Sequence, residues 1–131
     1  MAQIHVSIVT PEITTFDSEA DSVVVPMLDG ERGILAGHAP MIGRLGPGEM
    51  RVTTSGSTER FYVDGGFVQI ADNAVSVLTG NSVPAGDIDL AMAREALKTA
   101  KAQKADKAEL MDLKNRAIAQ ANAQIRMAEK A

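Results

Sequence analysis

Residues Glu31 to Gly48 read ERGILAGHAPMIGRLGPG. Two apolar pairs, Ile34-Leu35 and Met41-Ile42, stand among five glycines and two prolines, with His38 at the centre. Glycine supplies backbone conformations that other residues resist, and proline fixes φ and removes a donor that a strand needs for pairing. Punctuation this dense predicts a shaped turn between short strands and not a helix.

The flanking segments carry strand patterns. Ile4, Val6 and Ile8 alternate with His5, Ser7 and Val9, as in a half-buried strand. Pro11-Glu12 turns the chain. Ser22 to Val25 reads as an apolar strand ended by Pro26, and Asp29-Gly30 as a tight turn. Met50 and Val52 share a strand face, and Ser55-Gly56-Ser57 turns into Phe61-Tyr62-Val63. Phe67 to Ile70 and Ala74 to Leu78 flank the Ala71-Asp72-Asn73 turn. Short strands at this spacing predict an antiparallel sandwich or barrel, not a parallel sheet.

Composition breaks at Gly86. All 11 glycines, all 5 prolines and every aromatic residue lie at or before it. Valine stops at Val83, and alanine, lysine, glutamate and glutamine take over. The first group suits strands and turns, the second helices. The sequence therefore predicts a β domain over residues 1–86 and a two-helix hairpin over 87–131, joined at Gly80 to Gly86. Asp87 is the expected N-cap of a first helix reaching about Lys104. Asp106, with Glu109 three residues on, is the expected cap of the second. The hairpin seam is expected from Ala93, Leu97 and Ala100 against Leu110, Leu113, Ala117, Ala121, Ile125 and Ala128, at steps of three and four. Alanine methyls contribute about 0.8 kcal/mol each, so such a seam opens easily.

Charge divides at the same place. Ten carboxylates against four arginines leave −6 on the first 86 residues, and nine basic against seven acidic residues leave +2 on the rest. Phosphate backbones need a concentrated basic face, so nucleic acid is not an expected partner. The basic surplus reads either as solvated helix lysines or as a face for an acidic protein surface. No apolar run approaches the ~20 residues that cross a bilayer, so lipid insertion is not expected. The opening MAQIHVSIVT lacks the basic-then-apolar pattern of a secretory leader.

No constellation for bond-making chemistry stands out, and no catalytic or metal residue is assigned. There is no cysteine, and His5 and His38 are the only histidines. Gly33 to Gly37 lacks the Gly-Lys-Ser/Thr of a phosphate loop. Gly80-Asn81-Ser82-Val83-Pro84 starts like a nucleophile elbow but ends in proline. On physics alone, His38 is a loop residue bonding nearby backbone, Glu31 a solvated turn residue, and Asp87 and Asp89 are helix caps.

The string Gly33, Gly37-His38-Ala39-Pro40, Leu45, Pro47-Gly48 closely resembles the loop of epsilon subunits of bacterial F-type ATP synthases, where a glycine-rich turn leads to a Gly-His-Ala-Pro run and then a Pro-Gly turn. Val9-Thr10-Pro11-Glu12, Val63-Asp64-Gly65-Gly66-Phe67 and Val75-Ser76-Val77-Leu78 resemble further parts of that family, and Ile88-Asp89 stands where its first C-terminal helix begins. The resemblance implies a non-catalytic central-stalk subunit, peripheral on the cytoplasmic face of the bacterial membrane. It would couple the gamma shaft to the proton-driven membrane ring, with Glu31, His38 and Pro40 on or near the ring contact. It also implies that the helices restrain ATP hydrolysis through the catalytic alpha and beta head subunits. The expected regulatory residues are Lys107, Lys114, Arg116, Arg126 and Lys130.

Some members of that family bind a regulatory ATP through Ile/Leu-Asp-x-x-Arg-Ala. Here the motif reads Ile88-Asp89-Leu90-Ala91-Met92-Ala93, with Met92 in place of arginine. Arg94 lies about 200° around a helix from that position and does not substitute for it. Asp89, Arg116 and Arg126 remain as weak candidates, and no bound cofactor is expected. The alternative function is a free-standing regulatory nucleotide-binding module.

Overall fold

The computed structural model describes residues 3–130, with Lys130 by its backbone alone. Met1, Ala2 and Ala131, the outer limits of the two expected domains, lie outside the described residues, as does the Lys130 side chain. The chain divides into two compact units, Met1–Pro84 and Ala85–Ala131.

The first unit contains β1 (Ile4–Val9), β2 (Thr14–Ala20), β3 (Ser22–Met27), β4 (Gly30–Leu35), β5 (Met41–Thr54), β6 (Ser57–Ala71), β7 (Ala74–Leu78) and β8 (Ser82–Pro84). They pair in the order β2-β1-β7-β6-β5-β3-β4, with β8 also on β6. All described pairings are antiparallel except that of β1 with β7. Alternation fills one core with Ile4, Val6 and Ile8 of β1, Val23 and Val25 of β3, Ile34 of β4, and Val75 and Val77 of β7. This is the β-sandwich expected from the strand patterns.

The long β5–β6 hairpin builds both layers. Its register is constant from Thr54↔Ser57 to Met41↔Ile70, with the pair at Gly46 and Gly65 omitted. Beyond that gap the inward positions change parity. Met50, Val52, Phe61 and Val63 face the core on one side of it, and Leu45, Val68 and Ile70 on the other. The same ribbon thus turns opposite faces to the core in its two halves. Gly65 and Gly66 make this bend at φ +90° and +109°, a region costly for side-chain-bearing residues. A side chain on Gly66 would also run into the Leu78 carbonyl.

Two turn readings are corrected here. Pro47-Gly48 lies inside β5, paired with Asp64 and Val63, and is not a turn. Gly48 is small because Pro26 packs against it: a Cβ there would stand 2.9 Å from the Pro26 Cβ. Pro26 does not end its strand, since β3 continues to Met27 with Pro26 opposite Glu31. The β3–β5 register shifts between Val24 and Met27, and such an irregularity accommodates a residue without an N–H. Gly33, expected in a turn, sits in β4 opposite Val24.

The second unit opens with a 3₁₀ turn, Ala85–Asp87, followed by α1 (Leu90–Ala102) and α2 (Ala108–Lys130). The cap of α1 is Asp89, whose carboxylate accepts from the Met92 N–H at 3.1 Å, so Asp87 is not the cap. Helix α1 stops at Ala102 because Gln103 turns extended. For α2 the Lys107 carbonyl accepts from the Met111 N–H at 2.9 Å, which puts Lys107 and not Asp106 in the cap position.

Arg94 meets Glu129 at 3.5 Å, joining the start of α1 to the end of α2 in an antiparallel hairpin. At 1.5 Å per residue α1 is about 20 Å long and α2 about 35 Å, so the first turns of α2 run past the end of α1. Ala93 and Ala100 are buried as expected, with Ala121, Ala123 and Met127 on α2. Leu110 and Leu113, expected in the seam, are exposed because they lie on that overhang.

Candidate interaction surface

Strand β4 separates the residues that the sequence groups on one contact surface. Glu31 pairs with Pro26 at the start of β4, beside the turn that carries exposed Leu28. Leu35, at its other end, pairs with Ser22. Four extended steps between Glu31 and Leu35 span about 13 Å before the chain reaches His38. His38 and Pro40 belong to the far turn. There the His38 N–H donates to the Leu35 carbonyl at 3.2 Å, and its Nδ1 donates to the Ala39 carbonyl at 2.7 Å. The Gly37 N–H donates to Asn73 Oδ1 at 2.7 Å, tying this turn to the β6–β7 turn. The structure therefore does not bring Glu31 together with His38 and Pro40.

At the Glu31 end lies a chain of alternating charges. Arg51 of β5 donates to Glu31 through Nη1 at 2.8 Å and Nη2 at 3.3 Å, and to Glu49 through Nη1 at 2.9 Å. Arg60 of β6 holds the other Glu49 oxygen at 2.7 Å. The Arg51 guanidinium is raised above its ordinary value, first by the bond to Glu31 and then by that to Glu49. At the opposite end His5 sits between Glu19, 2.9 Å from its Nδ1, and Asp17 at its Nε2. The Glu19 hydrogen bond is the main cause of its raised pKa; Asp17 adds to it, and partial desolvation opposes it.

Sequence reading missed an apolar row on the outer face. Val9, Leu78, Phe67 and Arg44 are successive cross-strand partners on β1, β7, β6 and β5. Phe67 and Leu78 are about half exposed, and with Val9, Pro11 and Gly80 they line a shallow groove of about 350 Å³. The signal was present. Val75 and Val77 face the core, so Leu78 falls in the outward phase, and Phe67 stands out of phase with Val68 and Ile70.

The residues of the degenerate nucleotide motif do not converge. Asp89 is occupied as the α1 cap, Met92 points into solvent, and Arg94 is paired with Glu129. Arg116 and Arg126 are ten residues apart on α2, about 15 Å along its axis. Lys107 precedes α2, Lys114 is half-buried, and Lys130 is the last residue of the helix. Among the described residues no cluster of three or more His, Asp or Glu could hold a metal, and no helix is long and apolar enough to cross a membrane.

The fold is that of a β-sandwich domain followed by a helical hairpin. Residues 3–85 match the beta-sandwich domain of the ATP synthase delta/epsilon chain. The chain is 44% identical over 119 residues to the ATP synthase epsilon chain of Rhodopirellula baltica, covering 91% of this chain and 93% of that one. It is 38% identical over 128 residues to that of Symbiobacterium thermophilum, covering 97% and 92%. The chain belongs to the epsilon-chain family of F-type ATP synthases. In fold it is similar to a chain of the Euglena gracilis mitochondrial ATP synthase, with a TM-score of 0.84 at 23% identity, covering 100% of this chain and 83% of that one. A chain from the central stalk and c-ring structure of the Tetrahymena thermophila enzyme gives 0.76 at 12% identity, covering 97% of each.

Proposed function

We propose that this chain is a non-catalytic rotor subunit that links the gamma shaft of an F-type ATP synthase to its membrane ring. In this reading residues 1–86 make those contacts, and the helices of 87–131 restrain ATP hydrolysis by meeting the alpha and beta subunits of the catalytic head. The subunit works peripherally, on the cytoplasmic face of the membrane, in a proton-driven machine. The observation that carries the reading is the outward row Val9–Leu78–Phe67 on a sandwich of this family. Apolar side chains gathered on the solvent face of a sheet favour a protein partner.

The two ends of β4 take different partners. In this reading Glu31 is the ring-facing residue, an exposed charge beside exposed Leu28. His38 and Pro40, at the other end near exposed Leu35 and Ile42, are assigned to a different contact in this reading. The free-standing nucleotide module gains no support, because the Asp89 carboxylate is used as a helix cap.

The test is affinity purification of the tagged full-length chain from detergent-solubilised membranes. Gamma and ring subunits are expected to accompany it in constant ratio. Recovery of the chain alone, with the intact complex left in the unbound fraction, overturns the stalk assignment.

A further inference from the structure

We propose that Arg51 is the positioning residue for Glu31, holding its carboxylate in one orientation for the ring contact. The proposal rests on the reading that Glu31 meets the ring, and it adds the part of the sandwich that prepares this residue.

Glu31 and Arg51 lie on strands separated by β3. For the guanidinium to cross, the intervening residues must be low. They are: Val24 and Pro26 occupy β3 here, and Gly33, opposite Val24 on β4, has open space where a side chain would stand. Arg51 grips Glu31 with two nitrogens on two oxygens, the fork geometry that a lysine cannot reproduce. Each carboxylate oxygen keeps a second lone pair for a donor on the partner.

An isolated surface ion pair contributes little, because ordering two long side chains offsets the attraction. This one is anchored from within. The Glu49 side chain is only 10% exposed and needs cationic partners to remain charged there. Arg60 and Arg51 supply them, so Arg51 is ordered by Glu49 before it meets Glu31. Exposure rises outward along the chain, from 10% at Glu49 to 32% at Arg51 and 55% at Glu31. Order propagates from a buried carboxylate to an exposed one. A side chain immobilised in advance loses less freedom on association.

Equilibrium rebinding of the full-length chain to membrane vesicles stripped of it, but retaining gamma and ring, separates the possibilities. Glu31→Gln, Arg51→Gln, their combination and Arg51→Lys are compared, with thermal unfolding monitored for each. Glu31→Gln and Arg51→Gln are each expected to weaken rebinding by about two- to tenfold, the range set by ordering one long side chain. The double variant should be no weaker than the weaker single one, since both remove the same interaction. Arg51→Lys should fold normally and fall between wild type and Arg51→Gln. Additive losses, or an Arg51→Lys variant that folds and rebinds like wild type, overturn the positioning role. A Glu31→Gln variant that rebinds normally instead removes the ring reading of Glu31 itself.

Discussion

Glu31 and His38 are seven positions apart in sequence and stand at opposite ends of β4, one beside Pro26 and the other beyond Leu35. In the reading proposed above, the ring contact is made at the Glu31 end of this strand. With cysteines placed on the ring-subunit loops, Glu31→Cys is expected to form disulfides in assembled membranes, and His38→Cys and Pro40→Cys are not. Crosslinking from His38 but not from Glu31 would invert the sandwich in the stalk.

The bend that lets one hairpin serve both layers depends on Gly66. Its φ of +109° disfavours any side chain, and the Leu78 carbonyl occupies the space a Cβ would need. Gly66→Ala is expected to destabilise the sandwich by about 2–4 kcal/mol, combining backbone strain with overpacking. Urea denaturation followed by circular dichroism measures it. An unchanged midpoint would mean that the bend relaxes freely.

Much of this fold was legible because strand periodicity is a local property. Ile4, Val6 and Ile8, or Val75 and Val77, declare their buried face without knowledge of any partner. The constant register across the bend was not legible, because Pro47-Gly48 has the local chemistry of a turn and continues as strand only through its pairing with Asp64 and Val63. The Arg51–Glu31 fork was hidden for a related reason. It joins residues twenty apart across a third strand, and only sheet order brings them together. In the helices, seam residues were read from spacing, but helix lengths decided which of them pair. Leu110 and Leu113 keep the spacing and lack a neighbour on α1.

The Asp89 carboxylate accepts from the Met92 N–H, and no arginine occupies the Met92 position. Calorimetry with ATP should detect no binding to the full-length chain. Asp89→Ala should leave that result unchanged while destabilising α1 by about 1 kcal/mol through loss of its cap. Tight ATP binding that Arg116→Ala or Arg126→Ala abolishes would show that α2 builds a site of its own.

His5 contributes a small pH dependence. Its pKa is raised in the folded chain, chiefly by the Glu19 hydrogen bond and with help from Asp17. The imidazolium therefore favours folding below its unfolded pKa. That contribution declines as pH rises and is gone above the raised folded value. Stability of wild type relative to His5→Ala should fall across this window, and salt should flatten the difference because the cluster is exposed. Proton NMR of the His5 ring follows the titration directly. A folded pKa at or below the ordinary imidazole value removes the prediction.

The helical hairpin is the element expected to detach and inhibit. Among the described residues its fully buried side chains are Ala93, Ala100, Ala121, Ala123 and Met127, four of them alanines, with Leu97, Ile118 and Ile125 half-buried. At about 0.8 kcal/mol per alanine methyl, the fully buried alanines together contribute only about 3 kcal/mol against opening. No glycine or proline interrupts residues 87–131, and Gln103 to Lys107 between the helices are residues that helices tolerate, so an opened hairpin keeps its helical character. Lys107, Arg116 and Arg126 are exposed, and in the proposed reading their positive charge would meet an acidic surface of the catalytic head. Deleting residues 87–131 should therefore raise ATP hydrolysis by the assembled enzyme and leave ATP synthesis largely intact, if the sandwich alone makes the proposed shaft and ring contacts. Replacing Lys107, Lys114, Arg116, Arg126 and Lys130 with glutamine should give part of the same release, and rising ionic strength should mimic it, since exposed charge pairing is screened within about 10 Å at 0.1 M salt. Hydrolysis by the truncated enzyme at the rate of the intact one, at low and high salt alike, would deny the helices any inhibitory role.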